Sequence, residues 1–161
     1  MAPAAVHPPT PATPQQVDAV LAAARVLVAV VARSVAAVED VVSLPQLRVL
    51  VMVSTSGPLN LSAVAEGLGV HASNATRTCD RLVTAGLLDR RDAEGDRRHV
   101  ALTLTDEGRQ LVQSVIEHRR SAIERVLAGM PAALRDGLAG DLQAFAAAAG
   151  EVPDAPGWTL G

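Results

Sequence analysis

Between Gly86 and Thr105 the apolar residues change from helical spacing to alternation, and that switch limits what the chain can fold into. "ASNATRTCDRLVTA" reads as a helix opening near His71 or Ala72 and running to Ala85, with Gly86 as its terminator. "LLDRR" and "HVALTL" then read as two short strands. "DAEGDR" joins them in a hairpin whose loop is longer than the tight two-residue type. Upstream, "PLNLSAVAEGLGV" reads as a short helix closed by Gly69.

Composition sets the class around this switch. At 161 residues the chain is most simply one domain. Apolar residues make up 49% of it, but they are Ala, Val and Leu, with one Phe, one Trp and no Tyr. That stock favours a mostly helical protein with a little sheet. All 14 basic residues are arginine. GC-rich codon usage is the simpler cause. The consequence is that every cationic contact is a guanidinium, the better group for bidentate phosphate or guanine recognition. The net charge is −3. From residue 61 to 105, the six arginines are matched by six acids: Glu66, Asp80, Asp89, Asp92, Glu94 and Asp96. A nucleic-acid reading must therefore rest on where the arginines point, not on bulk charge.

Several classes drop out. Cys79, the single cysteine, excludes an internal disulfide framework and a cysteine-cluster zinc site. His7, His71, His99 and His118 lack ligand spacing, so no metal is expected. The amino terminus has no cationic start before an apolar core. "VLVAVVARSVAAV" is interrupted by Arg33 and reads as too short between charges to span a bilayer. A cytoplasmic protein without a membrane partner is the expectation. There is no nucleophile–base pair, Gly-rich phosphate loop or suitable carboxylate pair, so neither enzyme activity nor a cofactor is expected.

In chain order, residues 1–12 read as a disordered leader rich in Pro and Ala. Thr13, Pro14 and Gln16 form a capping-box start for a helix running to about Val42. Its apolar residues cover more than one stripe, so it needs several partners, a second subunit among them. A second helix has Ser43 near its cap, Pro45 in its first turn and Gly57 at its end. After the hairpin, Thr105 caps a helix over 106–128, Gly129 ends it, and Pro131 starts a last helix to about Ala149. Residues 151–161 read as an irregular tail, with Trp158 as a packing anchor where that tail is ordered.

On a wheel of about 100° per residue, Ala72, Ala75, Cys79, Leu82 and Val83 share one side of the helix after His71. Ser73, Asn74, Arg77, Asp80, Arg81 and Thr84 share the other. Small hydrogen-bonding groups ahead of arginines suit a major groove, where a helix reads base edges with its first residues and holds phosphates with others. An ordinary solvated polar face gives the same wheel. The short helix and turn before it make a helix-turn-helix, and the hairpin after it makes a winged helix. Arg97 and Arg98 at the hairpin tip suit insertion into a narrow minor groove. His71 sits where a cap, a phosphate contact or plain exposure is equally open. Arg90 and Arg91 either steady the wing or touch phosphate.

From "LPQLRVL" through "LNLSAVAEGLGVHASNATRTCDRLVTAGLLDRRDAEGDRRHVALTLTDEG", about residues 44–108, the chain resembles the multiple antibiotic resistance regulator (MarR) family of transcriptional regulators. The most specific part is Asp96-Arg97-Arg98 followed by "LTLTDEG", similar to that family's wing. The resemblance implies a mainly α winged helix-turn-helix with a two-stranded wing. It implies a homodimer held by helices within 13–42 and 106–150, with a DNA-binding lobe over 43–105. Two such lobes would read a pseudo-palindromic operator in double-stranded DNA, most simply as a ligand-responsive repressor. By matching position, Ser73, Asn74, Thr76 and Arg77 would meet the major groove and its phosphates. Arg98, braced by Asp96, would enter the minor groove, with Arg97 nearby on backbone.

The resemblance also implies a crevice for a small aromatic or anionic effector, lined here by Val, Leu, Ala and Met52 with Arg48 as the anion anchor. Oxidant-sensing members often carry a reactive cysteine near the amino terminus, and none stands there in this chain. Cys79 lies on the apolar side of its helix and reads as inert. Arg119 and Arg120, with Glu117 and Glu124, read as a solvated helix face or as dimer salt bridges. The alternative reading is a winged helix that binds protein instead of specific DNA, suggested by the near-neutral lobe.

Overall fold

The computed structural model describes residues 11–93 and 96–150, with side chains throughout except at 92–100. The leader through residue 10, Glu94, Gly95 and the tail with Trp158 lie outside the described residues, as do the side chains of Asp96, Arg97, Arg98 and His99. Among the described residues, six helices and one hairpin run in the order α1 (Pro14–Ala36), α2 (Leu44–Ser56), α3 (Leu61–Leu68), α4 (Ala72–Thr84), β1 (Leu88–Ala93), β2 (Asp96–Leu104), α5 (Asp106–Ala128) and α6 (Ala132–Ala148). The architecture is mainly helical with a two-stranded antiparallel sheet, as the residue pattern predicts.

Local chemistry accounts for the helix starts. The Gln16 side chain accepts from the Thr13 N–H at 2.8 Å, and Thr13 Oγ1 accepts from the Gln16 N–H at 3.3 Å. Gln46 Oε1 accepts from both the N–H and the hydroxyl of Ser43 at the head of α2. Asn60 Oδ1 accepts from the Ala63 N–H at 2.8 Å at the head of α3. Each supplies partners to backbone groups that a helix end leaves open.

α1 stops at Ala36, short of the expected Val42. Beyond it, Val38 and Val42 turn into the core, and the Val41 N–H bonds back to the Val38 carbonyl at 3.0 Å. Glu39 and Asp40 lie where a longer helix would end, and carboxylates oppose the dipole there. By length and composition alone, α1 is apolar enough to cross a membrane, which the reading from Arg33 missed because it did not count the apolar turns from Pro14.

α2 is the centre of the lobe. Leu47, Val49, Leu50, Val51 and Val53 are all buried, against Val64 and Ala65 of α3, Ala75, Cys79 and Leu82 of α4, Leu102 and Leu104 of β2, and Val112 and Val115 of α5. Burying that many apolar side chains at about 1.5–3 kcal/mol each is the main force closing the lobe. β1 and β2 pair in register from Leu88↔Leu104 to Asp92↔Val100, with a shift before Ala93↔Asp96. Pairing therefore extends further toward the tip than the alternation predicts, because backbone bonds do not depend on side-chain polarity. Leu59 adds an unpredicted isolated bridge to β2: its N–H and carbonyl exchange bonds with Leu102 at 3.2 and 2.8 Å.

Outside the lobe the chain is sparsely packed. α1 meets α5 through Val30 and Ser34. Ser34 Oγ donates to the Val31 carbonyl at 2.7 Å and accepts from Arg119 Nε at 3.3 Å. Arg119 is thus half-buried, not part of a solvated face, and burial lowers its guanidinium to about 10. Arg120 does stay in solvent, paired with Glu124 at 3.3 Å. Val20, Leu21, Leu27 and Val28 of α1 and Leu134, Leu142 and Phe145 of α6 are exposed. No residue of α6 is buried among the described residues.

Gly108 sits in the first turn of α5 with no room for a side chain. A Cβ there would lie 2.1 Å from the Leu87 carbonyl oxygen and 3.3 Å from Leu104. Gly108→Ala should lower the unfolding free energy by more than about 2 kcal/mol. Gly137→Ala, in open space on α6, should leave it unchanged or raise it by up to about 1 kcal/mol. Urea denaturation of both variants checks the pair.

Candidate nucleic-acid interface

The interface is built on α4, and its placement begins with α3. Gly69 ends α3 at φ 66, a left-handed conformation that costs glycine little. The Val70 N–H then bonds to the Ala65 carbonyl at 3.0 Å and swings the chain into His71, which caps α4 through its backbone. Ala75, Cys79 and Leu82 are fully buried and fix the roll of α4 on the core. Val83 is half-buried beside them, whereas Ala72 projects past the core in the first turn and is exposed.

That roll leaves Ser73, Asn74, Arg77, Asp80, Arg81 and Thr84 exposed along one face. Thr76 is half-buried at its edge, and its hydroxyl donates to the Ala72 carbonyl at 2.9 Å. Of the residues expected at the major groove, Ser73, Asn74 and Arg77 therefore stand together in solvent. Thr76 keeps only its oxygen lone pairs for another partner. His71 and Asn74 border a shallow groove with Ala65, Glu66, Gly69 and Val70, at the joint between the two helices.

The wing follows directly. Gly86, at φ 71, reverses the chain, and the Leu87 N–H bonds to the Leu82 carbonyl at 2.9 Å. Arg90 of β1 reaches back to Asp80 of α4 and forms an ion pair with it, so of its two readings the structure supports the one in which it steadies the wing. Arg91 lies against Asp89 at 3.4 Å, on the same strand. At the base of the wing, Thr105 Oγ1 donates to the Gly86 carbonyl at 2.7 Å and accepts from the Gly108 N–H at 3.0 Å. Arg109 Nη1 donates to the Leu104 carbonyl at 2.8 Å and pairs with Asp106. Arg109 follows Asp106 by three residues at a helix start, the spacing that signals such a pair in the sequence.

The two residues expected around an effector lie on the seam between α2 and α3. Arg48 Nη2 donates to the Gly67 carbonyl at 3.4 Å, and the Met52 methyl occupies the space a side chain at Gly67 would need. Hollows also lie along α5. One of about 370 Å³ is lined by Ile116, Arg119, Ile123 and Leu127, and one of about 580 Å³ by Ser54, Arg109, Gln113 and Ile116. Among the described residues, no group of three or more His, Cys, Asp or Glu is placed to hold a metal ion.

A helix-turn-helix whose second helix shows solvent a polar, arginine-bearing face, followed by a hairpin and flanked by long helices, is a winged helix-turn-helix. Within that class the chain belongs to the MarR family, whose sequence profile matches residues 42–100. The crystal structure of RV1404 from Mycobacterium tuberculosis is similar at 44% identity and a TM-score of 0.71, covering 86% of this chain and 94% of that one. Two transcriptional regulators of helix-turn-helix type from Bacillus subtilis (strain 168) are also similar. YfiV is 34% identical over 85 residues, 53% of each chain. The repressor MdtR is 37% identical over 82 residues, 51% of this chain and 53% of its own. The chain thus spans about half the length of the curated relatives it matches.

Cys79 is fully buried under α4, and burial pushes its thiol up, with Arg90 partly opposing and Asp80 adding to the rise. A raised value leaves less thiolate at neutral pH, and thiolate is the reactive form. Folded protein should therefore react with a disulfide reagent at pH 7 at least about 100-fold more slowly than urea-unfolded protein. Equal rates in the two states would contradict the burial.

Proposed function

We propose that this chain is a homodimeric transcriptional regulator, cytoplasmic and most simply a repressor, that binds double-stranded DNA. The observation that carries this reading is the exposed face of α4, where Ser73, Asn74 and Arg77 precede Arg81 on a helix locked by Ala75, Cys79 and Leu82. In this reading those groups, with Thr76 at their edge, read base edges and hold phosphates in the major groove. Arg97 and Arg98, with Asp96 bracing the second, serve the minor groove from the wing.

Dimerisation is supported by the apolar side chains that α1 and α6 leave in solvent: Val17, Val20, Leu21 and Leu27 on one, Leu134, Leu142 and Phe145 on the other. An exposed apolar surface of that extent calls for a cover. Two-fold pairing would set two α4 helices about one turn of DNA apart, roughly 34–36 Å. A small aromatic or anionic effector that favours a different lobe spacing would then release the operator by population shift. MdtR, a relative, is named a repressor, and that name is the basis for choosing repression over activation.

Fluorescence anisotropy with duplex DNA from upstream of the protein's own gene, against random competitor and across a salt series, tests the reading. Competitor-resistant binding with a steep salt slope is the expected result. Arg77→Ala should cost about 1–3 kcal/mol where it reads guanine, and Arg98→Ala should weaken binding with the dimer intact by sedimentation. Weak binding that random DNA displaces would instead favour a lobe that binds protein.

A further inference from the structure

Asp80 is the single carboxylate of α4, and it stands on the exposed face with Arg77 and Arg81. At about 100° per residue it lies roughly 60° around the helix from Arg77, with Arg81 about 40° to the other side. A bare anion in that position would face the phosphate backbone beside the groups that approach it, and like charges set together across an interface are costly. Asp80 is not bare. Arg90, ten residues further on and in the adjacent strand, forms an ion pair with it, and the two side chains remain 39% and 52% exposed.

We propose that Arg90 is a positioning residue for DNA binding: through Asp80 it holds the root of the wing to the recognition helix and masks that helix's one negative charge. The inference rests on the DNA-binding reading above and assigns within it a role that Arg90 plays without touching DNA. The hairpin leaves the lobe at Gly86 and its strands pair with each other as far as Ala93 and Asp96, so the angle at which β1 leaves α4 bears on where the tip arrives. Helix and tip must reach neighbouring grooves of one duplex together. A side-chain tie close to the turn at Gly86 acts on that angle through a short lever. An exposed pair contributes little to overall stability, so its loss should show in binding and not in folding.

The test compares wild type, Arg90→Gln, Asp80→Asn and the charge-exchanged double variant Asp80→Arg with Arg90→Asp. All are measured on the same upstream duplex across a salt series, with thermal unfolding alongside. Arg90→Gln should weaken specific binding about 10-fold at unchanged Tm, because it releases the wing and uncovers the carboxylate. Asp80→Asn should weaken it less, since it releases the wing but removes the anion. The exchanged double variant should return to within about 3-fold of wild type, with the wild-type salt slope. Were Arg90 a phosphate ligand, the exchange would put a carboxylate against DNA and give the weakest binder of the four. That result, or an Arg90→Gln variant that binds like wild type, overturns the proposal alone. Wild-type protein with no preference for the upstream duplex overturns the DNA reading and this inference with it.

Discussion

The lobe closes on a knot of backbone contacts around Thr105. Its hydroxyl joins the Gly86 carbonyl to the Gly108 N–H, and its own N–H reaches the Leu87 carbonyl at 3.3 Å. Three segments meet there: the end of α4, the end of the wing and the first turn of α5. The approach is so close that Gly108 is left no Cβ. The wing therefore springs from, and returns to, one rigid point, and the buried face of α4 sets the orientation of that point relative to the core.

This knot explains the motif that carries the family resemblance. In "LTLTDEG" the leucines supply Leu102 and Leu104 to the core, the second threonine is the cap, and the glycine is the contact point with Leu87. The motif was legible because each of its roles is local or has a marked spacing. The capping pair Thr13–Gln16, the turn at Gly69 and the buried row Ala75, Cys79, Leu82 were legible for the same reason. Each depends on residues a few places apart.

What escaped the pattern was non-local. The pairing of Leu59 with Leu102 uses backbone atoms of residues 43 positions apart, and no side-chain spacing announces it. The end of α1 is decided by where Val38 and Val42 find the core. Arg90 had two readings of equal standing because its sequence neighbours do not say which acid it meets. The fold brings Asp80 to it by reversing the chain at Gly86. Arg48 and Met52 sit on the same helix one turn apart, and the sequence does not announce that their shared face borders α3 at Gly67.

A different consequence follows from α6. Among the described residues, the 17 of α6 form a helix with no buried side chain, and in proteins most helical stability comes from packing an apolar face. In the dimer proposed here its order is provided by the second copy, so it obeys mass action. Dilution would loosen α6 and the apolar half of α1 before it touched the lobe, whose core is complete within one chain. The number of copies in a cell would then govern how much of each chain is ordered as well as how many operators are filled, and a freshly made chain would carry an adhesive end until it met its twin.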